Sequence, residues 1–158
     1  DDLTGLWNRH AINRKLQERQ CLQEIDAPFW SVIFIDINGL KAINDNCGHL
    51  VGDCVLKVFA QCLSHSIRFS DYAGRWGGDE FIVLVSGMRS NADMENFCHK
   101  LQQETSKIIT VDNKEITISA SFGHALASVD GESVNDLIRV ADARMYKSKK
   151  QLLSRLLL

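Results

Sequence analysis

A single proline, Pro28, stands in 158 residues, and no Ser/Gly-rich tract, low-complexity segment or internal repeat accompanies it. Nothing in the sequence therefore marks a linker, and one domain of 1–158 with a sizeable core is expected. A basic excess is also missing. Lys plus Arg number 18 against 20 Asp plus Glu, a net charge of −2. That balance excludes a positive field for nucleic acid and a polybasic patch for a membrane surface. No apolar run reaches membrane-spanning length, and the opening residues carry no signal-peptide pattern. The five cysteines, Cys21, Cys47, Cys54, Cys62 and Cys98, form no C-x-x-C pair. A disulfide framework and a zinc site are thereby set aside, and a reducing cytoplasm is the expected compartment. His10, His65, His99 and His124 show no metal-ligand spacing. A chain of this charge that binds a polyanion must draw much of its positive charge from metal ions.

What is present is a sequence of alternating elements. After a turn-rich stretch at 2–5, helical spacing covers 8–23 with Ile12 and Leu16 on one face. Phe29 to Ile35 is a near-continuous apolar run, the pattern of a buried central strand, and it ends at Asp36. A short helix is predicted over 40–46 and a loop at Gly48-His49. The clearest helix follows over 51–69, with a stripe of Val51, Val55, Val58, Cys62 and Leu63. A hairpin is predicted over 72–85. A helix over 91–108 can be capped by Ser90 or Asn91. A second hairpin turns at 112–114 and ends at Ser121. A last helix over 133–150 points Val134, Leu137, Ile138, Ala141 and Met145 inward, and Tyr146 is expected to face the core as well. This order predicts an α+β fold, a mostly antiparallel central sheet flanked by helices.

The densest chemistry lies at Arg75-Trp76-Gly77-Gly78-Asp79-Glu80-Phe81. Strand-like residues flank it, so it reads as a hairpin with Gly-Gly at its tip. Glycine admits positive φ and lets a ligand approach the backbone. Two adjacent acids there repel each other unless a cation joins them. Asp36, at the end of a buried strand, must be hydrogen-bonded, paired or metal-bound. Alone it reads as a cap for the turn at 38–41. With Asp79 and the Ile37 carbonyl it makes a hard-oxygen site suited to Mg²⁺, which completes its shell with substrate phosphates. Asn38-Gly39 can aim N–H groups at an anion, and Lys41 can reach a phosphate. Asn44 and Asp53 suit guanine, the carboxylate accepting and the amide doing both. Taken singly, Lys41 is a solvated lysine, Asn44 a helix-ending residue and Asp53 a first-turn acid. Their joint spacing favours the site.

These residues match a known pattern. The chain resembles the GGDEF domain of bacterial diguanylate cyclases over nearly its whole length. The similarity runs from Asp2-Leu3-Thr4-Gly5-Leu6-Trp7-Asn8-Arg9 through Asn44-Asp45-Asn46-Cys47-Gly48-His49, Gly52-Asp53 and the signature at 75–81. It ends with Ala141-Asp142-Ala143-Arg144-Met145-Tyr146-Lys147-Ser148-Lys149. The resemblance implies a βααββαβ core shared with nucleotidyl cyclases and polymerase palms. It implies condensation of two GTP to cyclic di-GMP and two pyrophosphates, with the 3′-hydroxyl of one nucleotide attacking the α-phosphate of the other across a homodimer. Asp36, the Ile37 carbonyl and Asp79 would hold Mg²⁺, with Mn²⁺ as the alternative. Asp79 and Glu80 would be the catalytic carboxylates. Asn44 and Asp53 would read guanine, His49 would lie near the nucleotide, and Lys41 and Lys149 would contact phosphates. Arg68-Phe69-Ser70-Asp71 has the offset of the family's inhibitory site, so Arg68 and Asp71 would bind cyclic di-GMP as feedback inhibitor. The implied whole is a cytoplasmic domain of a longer chain, with an N-terminal regulatory region and a possible membrane anchor elsewhere. The domain itself would touch neither membrane nor nucleic acid.

The chain departs from the family pattern in places. Asn38 stands where most members carry Asp, Gly39-Leu40 replaces a bulkier pair, and Leu153 occupies the place of a phosphate-gripping arginine. These departures keep a second reading in view, a non-catalytic module that binds GTP or cyclic di-GMP as a signal. A cyclase for another base is disfavoured by Asp53, because adenine would make better use of a donor.

Overall fold

The computed structural model describes residues 1–21, 30–127, 129–131 and 133–156. Its elements run β1 (Trp7–Asn8), α1 (Arg9–Cys21), β2 (Trp30–Ile37), α2 (Leu40–Cys47), α3 (His49–Ser66), β3 (Tyr72–Gly77) and β4 (Glu80–Ser86). There follow α4 (Asn91–Thr105), β5 (Lys107–Val111), β6 (Lys114–Ile118), β7 (Ala120–Ala125) and α5 (Val134–Leu156). Phe29 and the expected end of the first helix at Gln23 lie outside the described residues.

Five strands form the main sheet in the order β1-β3-β4-β2-β7, and β5 and β6 form a separate hairpin. Every pairing in the main sheet is antiparallel except that of β1 with β3. The succession β2-α2-α3-β3-β4-α4-β7 is the expected βααββαβ core, with the small hairpin inserted before the last strand.

Strand alternation explains both layers of the core. On β2, Ile33, Ile35 and Ile37 face one way and join Phe81, Val83 and Val85 of β4 in packing against α3 and α4. Trp30, Val32 and Phe34 face the other way with Ile82 and Leu84, against Ile12 and Leu16 of α1 and Leu137, Ala141 and Met145 of α5. Both strands are buried on both faces, which is why they read as unbroken apolar runs. Asp36 is the next even-numbered residue of β2 and Glu80 its cross-strand partner on β4, so both belong to the α5 face. Gly123 of β7 pairs with Phe34 on that same face. A Cβ there would stand 2.8 Å from the Arg144 carbonyl carbon, so the glycine lets α5 lie directly on the sheet.

Several boundaries differ from the sequence expectation. The first buried strand runs past Asp36 to Ile37. α3 starts at His49, not Val51, and stops at Ser66, which leaves Phe69 fully exposed in a turn. The stretch 115–121 is two strands in different sheets, and β7 continues to Ala125. Ser90, not Asn91, caps α4, its hydroxyl accepting from the Asp93 N–H at 3.1 Å. Asp112 and Asn113 both have positive φ, 49° and 60°, as a two-residue hairpin turn of the right-handed ribbon requires. Met145 is buried, but Tyr146 is 55% exposed, because one step along a helix rotates a side chain off the buried stripe. Cys54 and Cys62 are half-buried, while burial pushes the Cys98 thiol up to about 12. Among the described residues no helix is long and apolar enough to cross a membrane.

Candidate active site

The site forms where β2 and the β3–β4 hairpin end together. β3 closes at Gly77 and β4 opens at Glu80, so the tip is Gly78-Asp79 rather than the glycine pair. Gly77 pairs with Glu80 after a register shift, and Gly78 has a φ of 49°, a conformation that suits glycine. Arg75 fixes the tip. Its Nε and Nη2 donate to the Gly78 carbonyl at 3.0 and 2.8 Å, and its Nη1 pairs with Asp1 at 3.3 Å. The Ile37 N–H donates to the Asp79 carbonyl at 3.1 Å. Ile37 and Asp79, two of the three residues expected to hold the metal, are therefore side by side, and Asp36 adjoins Ile37 in the chain.

Four acids share this corner. Asp36 is 7% exposed and directly opposite Glu80. Burial lifts the Asp36 carboxyl above the usual carboxylate range. Its hydrogen bond and charge contact with Lys149 pull it back, Asp79 and Asp142 push it up, and the net shift is upward. Glu80 is raised too, first by burial and then by Asp36, Asp142 and Asp79, with Arg9 alone opposing. Arg9 itself lies over the Trp76 ring at 4.6 Å, and Trp76 meets Phe34 edge-on at 6.0 Å. Asp142 escaped the sequence reading as a site residue. The signal for it was its place next to Ala141 on α5, beside the stripe that faces Asp36.

Lys149 arrives by helical spacing. Leu137, Ala141 and Met145 are buried at intervals of four on α5, and Lys149 is the next position on that line. Its ammonium donates to Asp36 Oδ1 at 2.6 Å. The expected phosphate ligand thus contacts the expected metal ligand.

The donor chemistry fits a hard divalent cation. Asp36 and Asp79 offer carboxylate oxygens, and repulsion among four acids is what such a cation relieves. Among the described residues no three Asp, Glu, His or Cys side chains form a closed cage. Two carboxylates and a main-chain carbonyl leave most of the coordination shell open to water and phosphate, the mode Mg²⁺ favours.

The residues expected to read the nucleoside cluster on α2 and α3. Asn44 Oδ1 is buried without a hydrogen-bond partner among the described residues. Such an orphan has a desolvation cost that a ligand donor can remove. Gly52 faces it across the two helices: a Cβ on Gly52 would overlap Asn44 Oδ1 and stand 2.9 Å from its Cγ. Asp53 is half-buried beside Gly52, His49 is exposed at the start of α3, and Lys41 is exposed in the first turn of α2. The expected anion contact at Asn38 does not form. Its N–H donates to the Ser119 carbonyl at 2.9 Å, and its side-chain amide bridges Ser119 and Ser121 at 3.2 and 2.8 Å. Asn38 fastens the end of β2 to β7. With Asp in its place, the Ser119 hydroxyl would have to donate rather than accept.

The second expected site divides in two. Asp71 is 5% exposed, and its oxygens accept from the main-chain N–H groups of Arg68 at 3.1 Å and Ser86 at 3.2 Å. It shapes the turn. Arg68 is exposed, and among the described residues its guanidinium meets no carboxylate at ion-pair distance. Leu153 is 53% exposed on the last turns of α5.

Comparison with known proteins places the chain in a family. The profile of the diguanylate cyclase GGDEF domain matches residues 1–155. The bifunctional diguanylate cyclase/cyclic di-GMP phosphodiesterase MucR of Pseudomonas aeruginosa is 37% identical over 153 residues, 96% of this chain and 22% of MucR. The chain thus spans about a fifth of the length of that relative. A sensory box/GGDEF family protein from Caulobacter crescentus superposes with a TM-score of 0.87 at 32% identity, covering 96% of this chain and 97% of that one. The GGDEF domain of DgcB from the same organism, solved in complex with c-di-GMP, superposes with a TM-score of 0.86 at 27% identity over 96% and 90% of the two chains. With the match running from the first residue to within three of the last, the chain belongs to the diguanylate cyclase GGDEF-domain family.

Proposed function

We propose that this domain is a diguanylate cyclase that condenses two GTP into cyclic di-GMP and two pyrophosphates across a homodimer of domains. The observation that carries this reading is the convergence of Asp36, Asp79, Glu80 and Asp142 with Lys149 at the end of a buried strand. So much negative charge facing a triphosphate makes chemical sense only around a divalent cation. Mg²⁺ or Mn²⁺, held by Asp36, the Ile37 carbonyl and Asp79, would neutralise the phosphate charge that builds up during transfer.

The protein's own part is positioning. The Asn44 amide and Asp53 carboxylate hold the guanine edge, with His49 beside the nucleotide. Lys41 steadies the phosphates from α2. Asp79 and Glu80 would be the carboxylates that accept the proton of the attacking 3′-hydroxyl, Glu80 with a carboxyl that burial lifts above the usual carboxylate range. The hydroxyl oxygen then bonds to the α-phosphorus of the facing nucleotide, and pyrophosphate leaves with the broken bond's electron pair. Two such events close the ring. Because each domain holds one nucleotide, the rate depends on how often two domains face each other. Arg68 would bind product cyclic di-GMP through phosphate and guanine, while Asp71 holds the turn that presents it.

Incubating the purified domain at high concentration with GTP and Mg²⁺, then separating products, tests the reading. Cyclic di-GMP is expected, and Asp79→Ala should abolish it. Pyrophosphate released without the cyclic dinucleotide refutes the reaction. One feature favours the alternative of a regulatory module that binds GTP or cyclic di-GMP without turnover: Leu153, exposed where the family pattern has arginine, cannot grip a phosphate. GTP binding with no product at any domain concentration would decide for the module.

A further inference from the structure

Lys149 holds two claims that cannot be met at once. As a phosphate ligand it must point at the triphosphate. In the structure it donates to Asp36 Oδ1 at 2.6 Å, with 30% of its side chain exposed and 10% of that of Asp36. Asp36 otherwise faces acids: Glu80 is opposite it on β4, and Asp79 and Asp142 act on it through their charges. A metal ion coordinated by the same carboxylate would meet the ammonium at close range, and two cations there repel. Lysine carries its charge on a flexible four-carbon stem, so it can pivot where a rigid fork could not.

We propose that Lys149 is a built-in counter-ion of Asp36 that an arriving metal displaces, and that the freed ammonium transfers to the triphosphate entering with it. The inference rests on the reading of Asp36 as a metal ligand. One lysine then balances the acid cluster before loading and the nucleotide charge after it. The exchange makes metal and nucleotide bind cooperatively. Metal alone must break the Lys149–Asp36 pair and leaves the ammonium without a partner, whereas nucleotide supplies the new partner. By linkage, each should tighten the other equally.

The test is Mn²⁺ titration of the whole domain, read from the paramagnetic resonance signal of free Mn²⁺, with and without a non-hydrolysable GTP analogue. Lys149→Met should bind Mn²⁺ alone about tenfold tighter than the unaltered domain, the scale of one lost charge contact. Its gain from the analogue should shrink. Lys149→Arg, which keeps the ion pair, should retain weak binding of Mn²⁺ alone. Lys150→Met removes the same charge from a neighbouring exposed lysine that stacks on Tyr146 at 4.5 Å, and should leave the affinity within about twofold. Thermal melts verify that each variant folds, and Lys149→Gln replaces Met if that variant does not. Unchanged Mn²⁺ affinity in Lys149→Met overturns the exchange, as does an equal gain in Lys150→Met. Asp36→Asn separates the two readings. If it abolishes Mn²⁺ binding while Lys149→Met changes nothing, only the exchange fails; if it binds Mn²⁺ normally, the metal site fails with it.

Discussion

Gly52→Ala should uncouple stability from nucleotide recognition. Gly52 sits inside α3, where alanine is the better helix former by up to about 1 kcal/mol. The added methyl group would overlap Asn44 Oδ1 and approach Cγ at 2.9 Å and Nδ2 at 3.4 Å. All three atoms belong to the movable end of one side chain, with no backbone among the near contacts, so Asn44 can swing aside and α3 stays in place. The orphaned Oδ1 leaves its buried position, which removes a local cost as well. The melting temperature should therefore hold or rise. Binding should suffer, because an amide pushed off the guanine edge forfeits hydrogen bonds worth about 1–3 kcal/mol, roughly 5- to 150-fold in Kd. Calorimetric titration with GTP and ATP reads both consequences: GTP weakens, ATP changes little, and discrimination narrows. Asn44→Ala should reproduce the loss, and the double variant should be no worse than either single one, since both remove the same contact. A folded Gly52→Ala protein with unaltered GTP affinity would refute the role of Asn44. So would additive losses in the double variant.

Two more outcomes follow from the charges. Asp36 and Glu80 have raised folded pKa values, so the native state holds their protons more tightly than the unfolded chain does. Between the unfolded carboxylate value, about 4, and the raised folded values, stability should fall as pH rises. Denaturant melts across that window should show the decline flattened in Asp36→Asn and Glu80→Gln, and divalent metal should offset it above the window; a pH profile in both variants unchanged from that of the unaltered domain would contradict the burial argument. At the turn after α3, Asp71→Ala leaves the N–H groups of Arg68 and Ser86 without their acceptor and should cost about 2–4 kcal/mol in urea unfolding, whereas Arg68→Ala should stay within about 0.5 kcal/mol yet weaken cyclic di-GMP binding. Equal stability of the two variants would remove the structural role of Asp71.

How far these features could be read in the sequence depends on what kind of signal each leaves. β2 and β4 are buried on both faces and announce themselves as apolar runs. β7 leaves no such run, because Gly123 serves it by having no side chain and Ser121 by bonding to Asn38. The alternation through Ile116, Ile118 and Ala120 passes unbroken from β6 into β7, since all three are buried against the same core although their strands lie in different sheets. Periodicity reports the face a residue buries, not the strand it pairs with. Site residues follow the same logic. Asp36 and Asp79 stand out as candidates because a carboxylate beside a buried strand or a glycine turn calls for a partner. Asp71 looked similar, and only the backbone path shows that its partners are main-chain N–H groups. A lysine suits a carboxylate and a phosphate equally, so residue type could assign Lys149 to neither. The four-residue stripe of α5 supplies the missing coordinate. It carries Lys149 to Asp36 by the same spacing that buries Met145, so the ion pair is a product of helix register rather than of any local motif. That origin sets a condition on the site: an inserted or deleted residue between Met145 and Lys149 would keep every signature residue and still take the ammonium away from the acids.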